Sequence, residues 1–150
     1  MSEHSPSETC CAIIDTQSIL DWQLFQDSGC AAWAPPGSTW CWLATAAMRD
    51  ELAHVLDRSF ALGRPGRPEQ VLAFFDRLVQ IVADPPPVAL NGRLRCTDPD
   101  DQKFIDLAMS VPGSWLVSRD RAVLKLRRRA ALAAGVHIVR PDEWAPPGPA

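Results

Sequence analysis

The sequence lacks what would mark a zinc, secreted or membrane-spanning chain. Its five cysteines, Cys10, Cys11, Cys30, Cys41 and Cys96, form no Cys-x-x-Cys pair, and no histidine stands at zinc-ligand spacing from them. They read as reduced thiols, which places the protein in the cytoplasm. The start, Met1-Ser2-Glu3-His4, has neither the basic residues nor the apolar stretch of a signal peptide. One stretch, Ser28 to Met48, runs 21 residues without a charge, long enough to cross a bilayer. Pro35-Pro36-Gly37 at its centre would break a helix where lipid offers no replacement hydrogen bonds, so no membrane span is expected. An excess of positive charge is also missing: 15 Lys and Arg against 18 Asp and Glu leave a formal −3. That balance excludes a nonspecific nucleic-acid coat, which needs cations in excess to neutralise phosphates.

What is present is enough for one domain. At 150 residues, 47% hydrophobic and 22% charged, folding buries roughly 68–70% of the unfolded chain's surface without staples. Residues 1–11 are expected to form a flexible tail and 145–150, Pro-rich, another, with the folded domain at 12–144. Ala12-Ile13-Ile14, Trp115-Leu116-Val117 and Val136-His137-Ile138-Val139 have the short apolar character of buried strands, and Val88 to Cys96 is a weaker candidate. Helical stripes lie between them. Thr45 caps one carrying Met48, Leu52, Val55 and Leu56. A second carries Val71, Phe74, Phe75, Leu78 and Val82 up to the triple proline at 85–87. Asp98-Pro99 opens a third, and a fourth runs from about Arg121 to Ala134, ending at Gly135. Strands alternating with helices predict a three-layer α/β/α sandwich around a central, mainly parallel sheet, with ligands outside the carboxyl ends of the strands.

The acids fall where that rule puts a ligand. Asp15 directly follows one strand and Asp120 follows another by two residues; Asp98-Pro99-Asp100-Asp101 starts a helix, and Glu51 lies inside one. Two unit charges 4 Å apart repel by about 4 kcal/mol at an effective dielectric of 20. Four carboxylates brought together therefore need a divalent cation, and oxygen-only ligation selects magnesium or manganese over zinc.

At these residues the sequence resembles the PIN-domain family of metal-dependent nucleases, and within it the branch of toxins of toxin–antitoxin pairs. Ile13-Ile14-Asp15-Thr16-Gln17 stands where the family has a strand ending in Asp-Thr-Asn. Glu51-Leu52-Ala53-His54-Val55-Leu56 matches its helical Glu-Leu-x-x-Val-Leu, and Asp98-Pro99-Asp100-Asp101-Gln102-Lys103-Phe104 matches the branch's Asp-Pro-Asp-Asp-x-Lys-Phe. Leu116-Val117-Ser118-Arg119-Asp120 matches the strand and Ser/Thr-x-Asp that supply the fourth acid, and Val136 to Trp144 resembles the closing strand and Pro-x-Glu-aromatic. Gln17, where Asn is commoner, and the Trp- and Pro-rich stretch 33–42 depart from the pattern.

The resemblance, covering about residues 12–144, implies that Asp15, Glu51, Asp101 and Asp120 are catalytic and hold one or two magnesium or manganese ions. Thr16, Ser118 and Asp98 would support them. The implied activity is hydrolysis of RNA phosphodiesters, with an antitoxin protein and a second copy of the chain as implied partners. Six cations, Arg119, Arg121, Lys125, Arg127, Arg128 and Arg129, face Asp120 alone over residues 119–129, a local charge of +5 expected to bind RNA. The rival reading is a catalytically weak PIN-like module that binds RNA or a partner. A receiver-type phosphotransfer domain ranks lower, because it needs a Lys at the end of the last strand and none stands near Val136 to Val139. Of the six tryptophans, most are expected in the core, and His54 and His137 are expected to be structural or exposed.

Overall fold

The computed structural model describes residues 10–31, 33–37, 39–63, 67–87 and 92–145. Of the expected tails, 1–11 and 145–150, residues 1–9 and 146–150 lie outside the described residues, and the first strand already begins at Cys10. Among the described residues, five short strands form one sheet: β1 (Cys10–Ile14), β2 (Trp40–Ala44), β3 (Val79–Ile81), β4 (Trp115–Val117) and β5 (His137–Val139). All neighbours pair in parallel, in the order β3-β2-β1-β4-β5. Six α-helices among the described residues complete the α/β/α sandwich: α1 (Thr16–Gln23), α2 (Ala46–Ala61), α3 (Pro68–Leu78), α4 (Gln102–Met109), α5 (Arg121–Leu124) and α6 (Arg127–Ala134). Among the described residues no helix is long and apolar enough to cross a membrane.

The strand order fixes where a ligand can sit. From β1 the chain moves outward through β2 and β3, then returns to the other side of β1 for β4 and β5. The helices after β1 and β4 therefore diverge, and a crevice opens above the carboxyl ends of those two strands. Asp15 and Ser118 are the residues immediately beyond those ends.

Three local expectations are corrected, and one stretch that carried none is assigned. The stripe from Val71 to Val82 is not one helix: α3 stops at Leu78 and the next three residues pair with β2 as β3. Residues 92–96 contain no strand, and 88–91 lie outside the described residues. The Trp- and Pro-rich stretch supplies β2, register-paired Cys10 to Trp40 and Ala12 to Trp42. The basic helix is two short helices, α5 and α6, separated by Lys125 and Leu126, and it ends as expected at Gly135, whose φ of +65° is the left-handed conformation that favours glycine. The expected caps hold: Thr45 accepts a hydrogen bond from the Met48 N–H, and Asp98 from the Asp100 N–H, ahead of a single 3-10 turn that leads into α4.

The core is aromatic. Trp22, Trp33, Trp40, Trp42 and Trp144 form one connected cluster with ring centroids 4.9–5.5 Å apart in edge and tilted contacts. Trp115 instead stacks on the exposed His137 at 4.3 Å.

Candidate metal centre

Asp15 is built into the fold twice. It caps α1, with Oδ1 accepting from the Ser18 N–H at 2.8 Å, and its Oδ2 accepts from the Ser118 hydroxyl at 2.5 Å. The same hydroxyl accepts from the Asp120 N–H at 3.0 Å, and Asp120 in turn caps α5 through the Ala122 N–H at 2.8 Å. Ser118 thus ties the two strand-end acids to one another. Burial pushes the Asp15 carboxyl above its ordinary range, the hydrogen bonds from Ser118 and Ser18 pull it back, and the charge of Asp120 adds to the rise.

From the other side come Asp98 and Asp101, presented by the 3-10 turn before α4. Carboxylate oxygens of Asp98, Asp101 and Asp120 lie within 4.8 Å of one another. Asp101 is pushed up to about 7, first by burial, then by a hydrogen bond with Asp120 and by the charges of Asp120, Asp98 and Asp15. The Asp101 Oδ2 is buried with no hydrogen-bond partner. An oxygen-only donor set with an orphaned carboxylate oxygen fits a hard divalent cation.

Glu51 reaches the cleft from α2. Its Oε1 accepts from the Thr16 hydroxyl at 3.0 Å and pairs with the Lys103 ammonium at 2.9 Å. Asp15, Thr16, Glu51, Asp101 and Asp120 all line one cleft of about 370 Å³, with Leu20, Val55 and Phe104 as apolar walls. A larger open groove of about 650 Å³ beside α3, lined by Gln23, Gln70, Arg67 and Arg77 among others, contains no carboxylate.

The structure therefore brings the four expected acids to one cleft and places Thr16 and Ser118 on them as hydrogen-bond donors. It draws Asp98 into the tight carboxylate group, in place of Asp15 and Glu51, which flank it. Gln17, on the cleft wall, donates its amide to Asp21 at 3.0 Å. Two of the six expected RNA-binding cations have partners. Arg119 pairs with Asp21 at 3.2 Å and Asp27 at 2.5 Å while lining the cleft, and Arg127 pairs with Glu143 at 2.9 Å. Arg121, Lys125, Arg128 and Arg129 are exposed and form no ion pair among the described residues. Lys103 is a site residue that the acid pattern does not reveal, although its place three residues after Asp100 puts it one helical turn along the same face.

The sequence profile of the PIN domain family matches residues 12–122. No curated protein and no solved structure matches the chain at a significant level.

Proposed function

The chain belongs to the PIN domain family, and from that premise we propose that it is a divalent-metal-dependent endoribonuclease, the toxin of a toxin–antitoxin pair. One observation carries the reading: Asp15, Glu51, Asp101 and Asp120, from four separate segments, line one cleft at the point where the strand order reverses. Asp98, Asp101 and Asp120 would hold magnesium or manganese, with Asp15 beside them. Bound there, the ion supplies Lewis-acid chemistry, activating water and neutralising charge on the departing oxygen.

The side chains do the rest by position. Ser118 fixes the carboxylate of Asp15 and the backbone of Asp120 in one arrangement. Thr16 holds the Glu51 carboxylate against the cleft wall. Leu20, Val55 and Phe104 exclude water from one side, which strengthens the charge interactions inside. Arg119, anchored by Asp21 and Asp27, presents a fixed positive charge to an entering phosphate.

Cleavage of a mixed RNA pool tests the reading. The parent protein should cut with magnesium or manganese and stop in EDTA, and Asp15→Asn should be inactive under both conditions. Cleavage that survives EDTA or the substitution overturns the metal-carboxylate mechanism; RNA binding without cleavage assigns the chain to the rival class of binding modules. The toxin assignment rests on the Asp98 to Phe104 run, and it carries with it an antitoxin that covers the acid cleft and a homodimeric chain. Sedimentation of the chain with and without the product of a neighbouring small reading frame checks both.

The four exposed cations of α5, α6 and the residues between them make a separate expectation. Replacing Arg128 and Arg129 by Ala, away from the carboxylates, should weaken RNA binding and flatten the plot of log affinity against log salt. For single strands the slope changes by roughly 0.7 for each phosphate that is no longer neutralised. Fluorescence-anisotropy titrations from low to moderate salt read this directly, and an unchanged slope removes α6 from the RNA footprint.

A further inference from the structure

The acid cleft has two corners of different character. In one, Asp98, Asp101 and Asp120 approach within 4.8 Å, and Asp101 has a buried oxygen without a partner. In the other, Glu51 stands outside that group and already has a cation. Its Oε1 receives both the Thr16 hydroxyl and the Lys103 ammonium. Lys103 is itself held at three points: by Glu51 at 2.9 Å, by the Asp100 carbonyl at 2.5 Å, and by the face of Phe104, whose ring centroid is 4.9 Å from Nζ. An ammonium fixed in this way is a point charge with oxygen neighbours, the role a metal ion plays in an oxygen site. It arises from the residue next to Phe104, which lines the cleft, so α4 fixes where its stem begins.

The charge balance agrees. The three carboxylates of the first corner have no Lys or Arg partner among the ion pairs of the described residues, whereas the Glu51 corner is already compensated by Lys103. A second divalent ion would have to bind beside a fixed positive charge, on a carboxylate with one oxygen already doubly hydrogen-bonded. We propose that the Lys103 ammonium is the resident cation of the Glu51 corner, so that the cleft takes one divalent ion, at Asp98, Asp101 and Asp120, and not two. This deepens the nuclease reading and rests on it for the presence of a metal.

Manganese binding without RNA tests it. Isothermal titration of the full chain with Mn²⁺ should give one ion per chain, and electron paramagnetic resonance should show an isolated ion. Lys103→Met keeps the apolar stem and removes the charge; it should bind two ions and show the spectrum of a coupled pair, as expected for ions roughly 3.5–4 Å apart. Lys103→Arg keeps the charge and should return to one. Two ions in the parent, or one in Lys103→Met, overturns the inference while leaving the nuclease reading intact. No ion in the parent overturns both, and it is told apart by the parent's failure to cleave RNA with manganese.

Discussion

Asp101→Asn is expected to lose RNA cleavage by about 10³-fold or more while making the metal-free protein more stable at pH 8. The catalytic loss follows from removing a central member of the carboxylate group: the several kcal/mol of charge stabilisation that a metal ion supplies is worth about three powers of ten. The stability gain follows from the raised carboxyl, about 7 in the folded protein against an ordinary 3.8. A group with a raised folded-state pKa favours the fold when protonated, fully below about pH 4, and that contribution is lost as pH rises through 7. At pH 8 the parent therefore carries an ionised, crowded carboxylate that Asn lacks. Because the side chain is only partly buried, solvent screening reduces the gain to about 1–2 kcal/mol, or roughly 2–8 °C in Tm. The gain should shrink as the pH falls from 8 to 4, and saturating manganese should reverse the order, since only the parent has the full site to stabilise. Scanning calorimetry in EDTA and in manganese checks each part. An Asp101→Asn protein that melts below the parent in EDTA at pH 8 would show that the carboxylates are not repelling one another.

The opposed effects on activity and stability explain why this site is legible in the sequence when much of the fold around it is not. Acids brought together at the ends of strands and helices repel one another unless a cation joins them, so four of them in such positions stand out even in a chain of net charge −3. The strands themselves are harder to see. β2 is Trp-Cys-Trp-Leu-Ala inside a proline-rich stretch; with Trp40 and Trp42 buried on one side and Leu43 on the other it shows no alternation, as expected of a strand covered on both faces. β3 follows α3 with no glycine or proline between Leu78 and Val79, so the helical period of the sequence runs on to Val82. The break between α5 and α6 falls at Lys125 and Leu126, equally unmarked. α1 is hidden by its own cap, because Asp15 has the signature of a ligand and the helix it starts has no separate opening signal. Asp98 shows the same overlap in reverse: it is both the cap of its turn and one of the three closest carboxylates. Pattern reasoning assigns one role to a residue, and here the ends of elements carry two.

The largest expected effect on stability lies at Trp33, in the stretch that matches none of the family's motifs. The ring is buried between Trp22 and Trp144, and its Nε1 donates to the carbonyls of Pro141 at 3.2 Å and Trp144 at 3.1 Å. It therefore clamps the last described turn of the chain onto the core from more than a hundred residues away. Trp33→Ala removes both the ring and the donor and is expected to cost about 3–5 kcal/mol, or roughly 6–20 °C in Tm. Trp33→Phe keeps much of the packing but leaves two carbonyls without that donor, an expected loss of about 1–3 kcal/mol. Urea denaturation followed by far-ultraviolet circular dichroism separates the two, free of the fluorescence change the substitutions themselves cause. Equal losses would mean that the hydrogen bonds carry the clamp and the aromatic contacts add little. A loss below about 1 kcal/mol in Trp33→Ala, small against the range for a buried aromatic, would mean that residues 33–37, ahead of β2, and the closing turn do not unfold with the sheet. The cooperative unit would then end near Ile138, and the ion pair of Arg127 with Glu143 would be left to hold the chain's end to α6 alone.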